Sequence, residues 1–285
     1  MEEAAVWLKC MVNAPEALRE LAALELMELG AGGIEESGEE LAAYYKPGDK
    51  EKVEAALGRF AALHEAEVVK IRWEEIASED WWESWKKYFH PLKASKRLWI
   101  CPTWENVPPP EEGMATLLID PGRAFGTGGH ETTRLCLDMI DECLLAEPVV
   151  AMLDVGCGSG ILSIAARLLG VKKVGALDMD ILAAKATRDN ALLNRVEEGI
   201  EVYCGELRAI KGEWPLVVAN ILYQIVLGLA PLLAKHTAPG GRLIISGFLV
   251  EECEGARSYF EGLGFETMDR QDMGPWSALL LRKIS

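Results

Sequence analysis

Between residues 149 and 263, short apolar runs alternate with longer stretches in which apolar residues recur at helical spacing. The apolar runs are VVAMLDV, KKVGALD, IEVYCG, LVVAN and GRLIISG. Strands that are apolar along their whole length are typical of a parallel sheet covered by helices on both faces. The alternation therefore predicts a doubly wound α/β domain. Two strand-like runs around Gly274 and Pro275 predict a terminal antiparallel hairpin.

The first 75 residues follow a different pattern, in the order strand, helix, strand, strand, helix, strand. A strand-like run, AVWLKCMV, precedes a helix that opens at Pro15 and stops at Gly30. A second helix is predicted from Asp49 through Leu63, and the strand-like EAEVVKIRW follows it. This order of elements predicts a small α+β domain of the ferredoxin-like type.

We expect three segments: a ferredoxin-like domain over residues 1–75, a linker helix and connection over 76–96, and the α/β domain over 97–285. The stretch from Met1 to Ile76 contains 17 acidic and 8 basic residues, which is a net charge of −9. An acidic surface attracts basic partners at long range. We therefore predict that the first domain docks a basic protein substrate, and that a helix around Trp81 to Phe89 connects it to the α/β domain.

The whole chain of 285 residues is acidic, with a formal net charge of −16. Nonspecific nucleic-acid binding depends on lysine and arginine meeting phosphates, so we expect no direct nucleic-acid partner. The seven cysteines form no CxxC pair and no two histidines have metal-ligand spacing, which indicates neither a metal site nor a disulfide framework. With no signal-peptide pattern and no long apolar run, we expect a cytoplasmic protein without a membrane partner.

The run VVAMLDVGCGSG combines a buried strand with a glycine-rich turn into a helix. In a doubly wound sheet, a nucleotide-like ligand binds at such a turn, at the carboxyl ends of the strands. Gly156, Gly158 and Gly160 have the spacing GxGxG, and Ile161 stands where a dinucleotide fingerprint requires its third glycine or alanine. The loop thus disfavours NAD. Neither GKS nor GKT follows it, which excludes a Walker phosphate loop.

Two polar residues stand at the ends of strand-like runs. Asp178 ends KKVGALD, 22 residues after Gly156, where an acidic side chain can accept hydrogen bonds from ribose hydroxyls. Asn220 ends LVVAN and delivers an amide into the same cleft. A loop aspartate or an asparagine at a helix N-cap would show the same pattern. The nearby glycine loop favours a ribose role for Asp178 and a substrate-orienting role for Asn220.

The stretch DPGRAFGTGGHETT, from Asp120 to Thr133, contains four glycines. Glycine is used where the backbone has a positive φ or must approach a neighbour closely. Together with DWWESWKKYFHPLKASKRLWICPTW, LDVGCGSGILSIAA and VVANIL, this stretch resembles the bacterial methyltransferases of large-subunit ribosomal protein eleven. Those enzymes belong to the class I S-adenosylmethionine-dependent methyltransferases. The resemblance covers most of the chain.

This resemblance implies a Rossmann-like class I methyltransferase domain with a mostly parallel seven-stranded sheet. It implies methyl transfer from S-adenosylmethionine to several lysines and the N-terminal amine of a basic ribosomal protein, without a metal. It places the glycine stretch over the methionine end of the cofactor, with Phe125 packing on the cofactor or closing the substrate channel. Asn220 is the expected catalytic residue because its amide can aim the amine. The residues expected to bind the cofactor are Phe125, Thr133, Gly156, Gly158, Asp178 and Asn220.

Other hypotheses stay open at this point. The chain has NILY where the family commonly has NILA, and Tyr223 falls where NPPY-type enzymes stack a planar amide or base. A related methyltransferase acting on another protein, or on a glutamine or adenine nitrogen, is therefore the second hypothesis. Ile221 and Leu222, which replace the two prolines, count against it. An NAD-linked oxidoreductase and a non-catalytic binding module are further alternatives. We expect a monomer. His130 is a poor candidate for a general base, and a structural contact within the loop is the alternative role.

Overall fold

In the computed structural model, the described residues are 6–31, 34–38, 40–45, 47–63, 71–77, 90–119 and 128–284. The chain divides into two compact units, Met1–Phe89 and His90–Ser285. Two predictions lie outside the described residues: the linker helix around Trp81 to Phe89, and the position of Phe125.

The first unit has the element order predicted for a ferredoxin-like domain. Its antiparallel sheet has the strand order β2-β3-β1-β4. In its core, Tyr45 donates its hydroxyl to the carbonyl of Leu26 at 2.7 Å, which ties the third strand to the first helix. The elements are β1 (Val6–Asn13), α1 (Glu16–Glu28), β2 (Ile34–Ser37), β3 (Glu40–Tyr45), α2 (Lys50–Leu63) and β4 (Ile71–Ala77).

The last strand of this unit ends later than the sequence pattern predicts. The run EAEVVKIRW ends at Trp73, whereas β4 continues to Ala77. β4 pairs with β1 from Val12 opposite Ile71 to Val6 opposite Ala77. The partner strand therefore decides where β4 ends, because cross-strand pairing stabilises residues whose own pattern is not strand-like.

The second unit opens with a small three-stranded sheet made of β5 (Leu92–Lys93), β6 (Leu98–Pro102) and β7 (Ala115–Ile119), in that order. Asn194 satisfies the free edge of β7. Its Oδ1 accepts from the N–H of Leu118 at 2.8 Å, and its Nδ2 donates to the carbonyl of Leu118 at 2.7 Å. An edge strand is thus completed by one side chain instead of another strand.

The main sheet of the second unit contains seven strands among the described residues, in the order β10-β9-β8-β11-β12-β14-β13. All neighbours are parallel except β14, which runs antiparallel to both β12 and β13. This is the predicted parallel sheet with a terminal hairpin. The elements are α3 (Glu131–Ala146), β8 (Ala151–Val155), α4 (Ile161–Leu168), β9 (Lys173–Asp178), α5 (Ile181–Leu193), β10 (Ile200–Cys204), β11 (Trp214–Asn220), α6 (Tyr223–His236), β12 (Thr237–Leu249), α7 (Cys253–Glu261), β13 (Phe265–Met273) and β14 (Trp276–Lys283).

Alternate residues of the central strands enter two separate cores, one on each face of the sheet. Along β11, Val218 belongs to the first core, whereas Val217 and Ala219 belong to the second. The strand order reverses at β8, since β9 lies on one side of it and β11 on the other. In sheets of this type a ligand binds at that reversal, outside the carboxyl ends of the strands. None of the helices in the described ranges is long and apolar enough to cross a membrane.

Candidate active site

The glycine loop connects β8 to α4 in backbone conformations that favour glycine. Gly156, Gly158 and Gly160 have φ of 78°, 53° and 82°, in the left-handed region that costs other residues about 1–2 kcal/mol. A Cβ at Gly160 would lie 2.8 Å from Cγ2 of Thr187 on α5. Thr187 also donates its hydroxyl to the carbonyl of Gly158 at 3.0 Å. The loop is therefore both packed and hydrogen-bonded against the following helix.

Asp178 lies at the carboxyl end of β9, beside the glycine loop. Its Oδ2 accepts from the N–H of Gly158 and its Oδ1 accepts from the N–H of Asp180, both at 2.9 Å. Its backbone carbonyl accepts from the N–H of Gly205 at 2.8 Å. A carboxylate offers about four lone-pair sites. Asp178 thus keeps acceptor capacity for hydroxyl groups of a ligand while it holds the loop.

Beneath the loop, Asp154 on β8 is completely buried. Ser163 donates its hydroxyl to Oδ2 at 2.6 Å, and Oδ1 has no hydrogen-bond partner in the part of the chain that the structure describes. Burial raises the pKa of Asp154 to about 7, the hydrogen bond from Ser163 opposes this, and the charge of Asp178 adds to it. Near pH 7 the carboxyl is thus partly protonated. Sequence reasoning missed Asp154, although an acidic residue within the apolar strand of LDVGCGSG could have indicated a buried carboxyl group.

Asn220 and Thr133 meet although they are 87 positions apart in the chain. Nδ2 of Asn220, at the end of β11, donates to Oγ1 of Thr133 at 3.5 Å. Thr133 is buried in the first turn of α3. Within the described ranges, Oδ1 of Asn220 has no hydrogen-bond partner. The amide therefore uses its donor inside the protein and keeps its acceptor for a hydrogen of a substrate.

Ile221, the residue after Asn220, fits between two glycines. A Cβ at Gly156 would lie 2.4 Å from Cγ2 of Ile221, and a Cβ at Gly247 would lie 2.3 Å from its carbonyl oxygen. Gly247 has a φ of 95°, and the N–H of Ile221 donates to the carbonyl of Ser246 at 3.2 Å. The backbone that carries Asn220 is thus fixed from two sides. Sequence reasoning missed Gly247, whose signal is a glycine directly after the apolar run GRLIIS.

The end of the glycine-rich stretch, from residue 128 onward, packs against the domain core. Gly128 is buried with a φ of 90°. A Cβ there would lie 2.7 Å from Cδ1 of Ile100 on β6 and 2.9 Å from Cδ1 of Ile161 on α4. This glycine is therefore needed for close packing of the backbone. The predicted position of the stretch over a cofactor stays a prediction, as does the role of Phe125.

His130 is the N-cap of α3. Its Nδ1 accepts from the N–H of Thr132 at 3.3 Å and lies 2.8 Å from the hydroxyl oxygen of Thr132. The ring also contacts Trp276 edge-on, with the ring centroids 5.0 Å apart. Burial lowers the pKa of His130 from its ordinary 6.5, and Glu131 acts in the opposite direction. The imidazole is engaged with the helix terminus, as expected for a structural contact.

Tyr223 starts α6, and its ring packs against the second core. The ring centroids of Tyr223 and Phe248 are 6.2 Å apart, and the hydroxyl lies 2.6 Å from the position a Cβ would take at Gly255 on α7. Stacking of a planar substrate requires a ring that is open beside Asn220. The contact with Phe248 therefore counts against the planar-nitrogen hypothesis.

Four predicted site residues converge at the carboxyl ends of β8, β9 and β11, which are neighbours in the sheet: Gly156, Gly158, Asp178 and Asn220. Thr133 joins them from α3. Together they offer acceptors for a diol at one end, a loop with glycine at three of its five positions in the middle, and a paired amide and hydroxyl at the other end. In the described segments, no three His, Cys, Asp or Glu side chains are grouped as metal ligands.

Comparison with known proteins agrees with this geometry. The family model of "Ribosomal protein L11 methyltransferase (PrmA)" matches residues 7–284. A ribosomal protein L11 methyltransferase of Pelobacter propionicus is 41% identical over 213 residues, which is 74% of this chain and 69% of that protein. The same enzyme of Caldanaerobacter subterraneus subsp. tengcongensis is 38% identical over 216 residues, 75% of this chain and 68% of that protein.

A solved structure is also similar. The crystal structure of ribosomal protein L11 methylase from Lactobacillus delbrueckii subsp. bulgaricus aligns with a TM-score of 0.63 and 34% sequence identity. The alignment covers 68% of this chain and all of that one (100%).

Proposed function

The chain belongs to the ribosomal protein L11 methyltransferase family, and we propose that it transfers methyl groups from S-adenosylmethionine to lysine side chains and the N-terminal amine of ribosomal protein L11. The observation that carries this proposal is the pairing of Asn220 with Thr133 beside the glycine loop, within a family match that spans residues 7–284. We propose that the enzyme works as a monomer in the cytoplasm, where ribosomal proteins are accessible.

The site residues fit S-adenosylmethionine. Asp178 would accept the two ribose hydroxyls, because two of its acceptor sites remain after it binds Gly158 and Asp180. Gly156 and Gly158 would let the ligand approach the backbone closely. Thr133 and Asn220 would hold the methionine end, and Phe125 would pack on the cofactor or close the substrate channel. When bound, the cofactor supplies a methyl group on a sulfonium, which is already a strong electrophile.

The task of the protein is then to position a neutral amine. Oδ1 of Asn220 accepts one amine hydrogen, and a neighbouring backbone carbonyl accepts another, which aims the nitrogen lone pair. A lysine of ordinary pKa costs about 4.6 kcal/mol to hold neutral at pH 7. Burial beside a positive charge lowers that pKa. Positioning of reacting groups can contribute roughly 7–11 kcal/mol. The proton can therefore leave to water before transfer, without a dedicated base.

A direct test is to incubate purified ribosomal protein L11 with the enzyme and S-adenosylmethionine and to record its intact mass. We expect stepwise addition of methyl groups, and peptide mapping should place them on lysines and the N-terminal amine. A methylated glutamine would instead support the planar-nitrogen hypothesis. Unchanged L11 mass, with binding of S-adenosylmethionine intact, would show that another substrate is used.

We also propose that the first domain docks the substrate through its acidic surface. Glu74 and Glu75 are exposed on β4, which is an edge strand of the first sheet. Opposite charges accelerate encounter, and salt weakens the effect because the Debye length falls from about 10 Å at 0.1 M to about 3 Å at 1 M. The test compares a Glu74→Lys/Glu75→Lys variant with a Glu197→Lys/Glu198→Lys control, which makes the same charge change at exposed sites of the second unit.

For this docking proposal, only the first variant should raise KM for L11, with kcat and cofactor affinity retained. The rise should shrink at high salt. Equal KM values for the two variants would refute docking on β4 without affecting the assignment of methyl transfer.

A further inference from the structure

The first turn of α3 depends on one imidazole nitrogen. The backbone of His130 is extended, with φ −68° and ψ 140°, and its carbonyl accepts from the N–H of Arg134 at 3.1 Å. Its Nδ1 accepts from the N–H of Thr132 at 3.3 Å, with the Thr132 hydroxyl 2.8 Å away. The N–H of Thr132 can only donate, so Nδ1 is the acceptor in this cap and the proton of the neutral ring lies on Nε2.

This cap is physically connected to the reactive end of the site. Thr132 and Thr133 are consecutive residues of the same helical turn, and both are buried. Oγ1 of Thr133 is the acceptor for Nδ2 of Asn220. If the first turn frays, Thr133 moves away and Asn220 loses this described partner.

We propose that His130 is a pH-sensitive positioning residue, which as a neutral imidazole caps α3 and holds Thr133 against Asn220 so that the cofactor binds. Protonation places a hydrogen on Nδ1, and an imidazolium has no acceptor for the helix N–H. The cap and the binding geometry are then lost together. This inference rests on the proposed use of S-adenosylmethionine.

Among the described residues, the surroundings of the ring favour the neutral form. Burial lowers the pKa of His130 from its ordinary 6.5. Glu131, the neighbouring acid on α3, raises it in opposition, and Arg134 lies one turn further along the helix. The strand packed against the ring contributes the uncharged Trp276. Because the folded-state pKa is lowered, the contribution of the cap is complete above about pH 6.5 and falls as pH drops toward the folded-state value.

The experiment measures S-adenosylmethionine affinity by calorimetry from pH 7.5 to 5.5 in the full chain and in two variants. The wild-type dissociation constant should rise as the pH falls toward the folded-state pKa of His130, and by about fivefold to tenfold once the N-cap is fully lost. His130→Asn should bind within about twofold of wild type at pH 7.5 and lose this rise, because asparagine caps helices but does not titrate. His130→Ala should bind about fivefold more weakly across the whole range.

Asp154, whose pKa is about 7, titrates in the same pH range. It is unchanged in every variant, so the difference between wild type and His130→Asn isolates the imidazole. Glu131→Gln adds a second check. The charge of Glu131 raises the pKa of His130, so the affinity of this variant should begin to fall at a lower pH than that of wild type.

Two results would overturn the inference: a pH response of His130→Asn equal to that of wild type, or a wild-type affinity that does not change with pH. A measurement without cofactor distinguishes failure of this inference from failure of the proposed function. The amide resonance of Thr132 should titrate with His130 in wild type and be constant in His130→Asn. If that holds while wild type binds no S-adenosylmethionine at pH 7.5, the cap stands and the proposed function falls.

Discussion

The two ends of the candidate site are held in very different ways. At the end proposed to bind the ribose, called the ribose end, Asp178 takes part in three hydrogen bonds of 2.8–2.9 Å, to the N–H groups of Gly158, Asp180 and Gly205. At the end proposed to hold the methyl group, called the methyl end, Asn220 and Thr133 share one hydrogen bond of 3.5 Å. The first contact set consists of charge-assisted or backbone hydrogen bonds of normal length, whereas the second is at the long limit for a hydrogen bond.

The difference indicates that the two ends of the site have different tasks. The ribose end is organised in the protein alone, so it can set the position of the cofactor at little further cost in order. At the methyl end, Oδ1 of Asn220 has no partner among the described residues and stays available to a ligand. Loss of the Asp178 carboxylate should therefore alter cofactor affinity, whereas loss of the Asn220 acceptor should alter turnover more than cofactor affinity.

Gly156→Ala should cause the largest loss, because Gly156 joins the two ends. An added Cβ would lie 2.4 Å from Ile221 Cγ2 at a φ of 78°. Left-handed strain and overpacking together should cost roughly 2–5 kcal/mol. Chemical denaturation should show reduced stability, and calorimetry should show no cofactor binding. Gly264→Ala, with a φ of 88° but open space around it, carries the strain without the clash and should retain binding.

Asp178→Ala tests the ribose end. A charge-assisted hydrogen bond contributes about 1.5–3 kcal/mol. Loss of two such bonds should therefore weaken cofactor binding by about a hundredfold or more. The control is Asp180→Ala, which removes an acid from the same loop and the N-cap bond to Leu182 but no ribose acceptor. That control should lose some stability and bind the cofactor nearly normally. Normal affinity of folded Asp178→Ala would remove Asp178 from the ribose assignment.

Asn220→Ala tests the methyl end. It removes the acceptor proposed to orient the amine, so kcat should fall by about tenfold to a hundredfold, a loss of roughly 1–3 kcal/mol for one hydrogen bond. Cofactor affinity should change less than kcat. Asn194→Ala is the control, since it removes two hydrogen bonds to Leu118 away from the reactive end. It should lower stability and leave kcat unchanged. A wild-type kcat in Asn220→Ala would exclude Asn220 from the reaction.

Tyr223→Phe should have the smallest effect. The ring keeps its contact with Phe248, and only the hydroxyl beside Gly255 is removed. Stability should change by no more than about 0.5 kcal/mol, as for an ordinary peripheral substitution. Methylation of L11 should continue at the wild-type rate. A large drop in kcat with unchanged stability would mean that Tyr223 takes part at the methyl end, and would reopen the planar-nitrogen hypothesis.

Several features of the site could be read from local sequence. The glycine loop, Asp178 and Asn220 each follow an apolar run that forms a strand, so their positions at one edge of a parallel sheet could be predicted. The element order of the first unit was equally visible, because its helices have clear start and stop residues. The end of β4 was misplaced, since it depends on pairing with β1.

The amino-acid pattern alone determined which elements form, because period and glycine placement act over a few neighbouring residues. Tertiary structure decided which side chains meet. Ile221 between Gly156 and Gly247, and Asn220 against Thr133, join segments far apart in the chain. The direction of Tyr223 toward Phe248 is of the same kind. Such contacts arise when the faces of a sheet are packed to high density, and no local period encodes which partner fills each space.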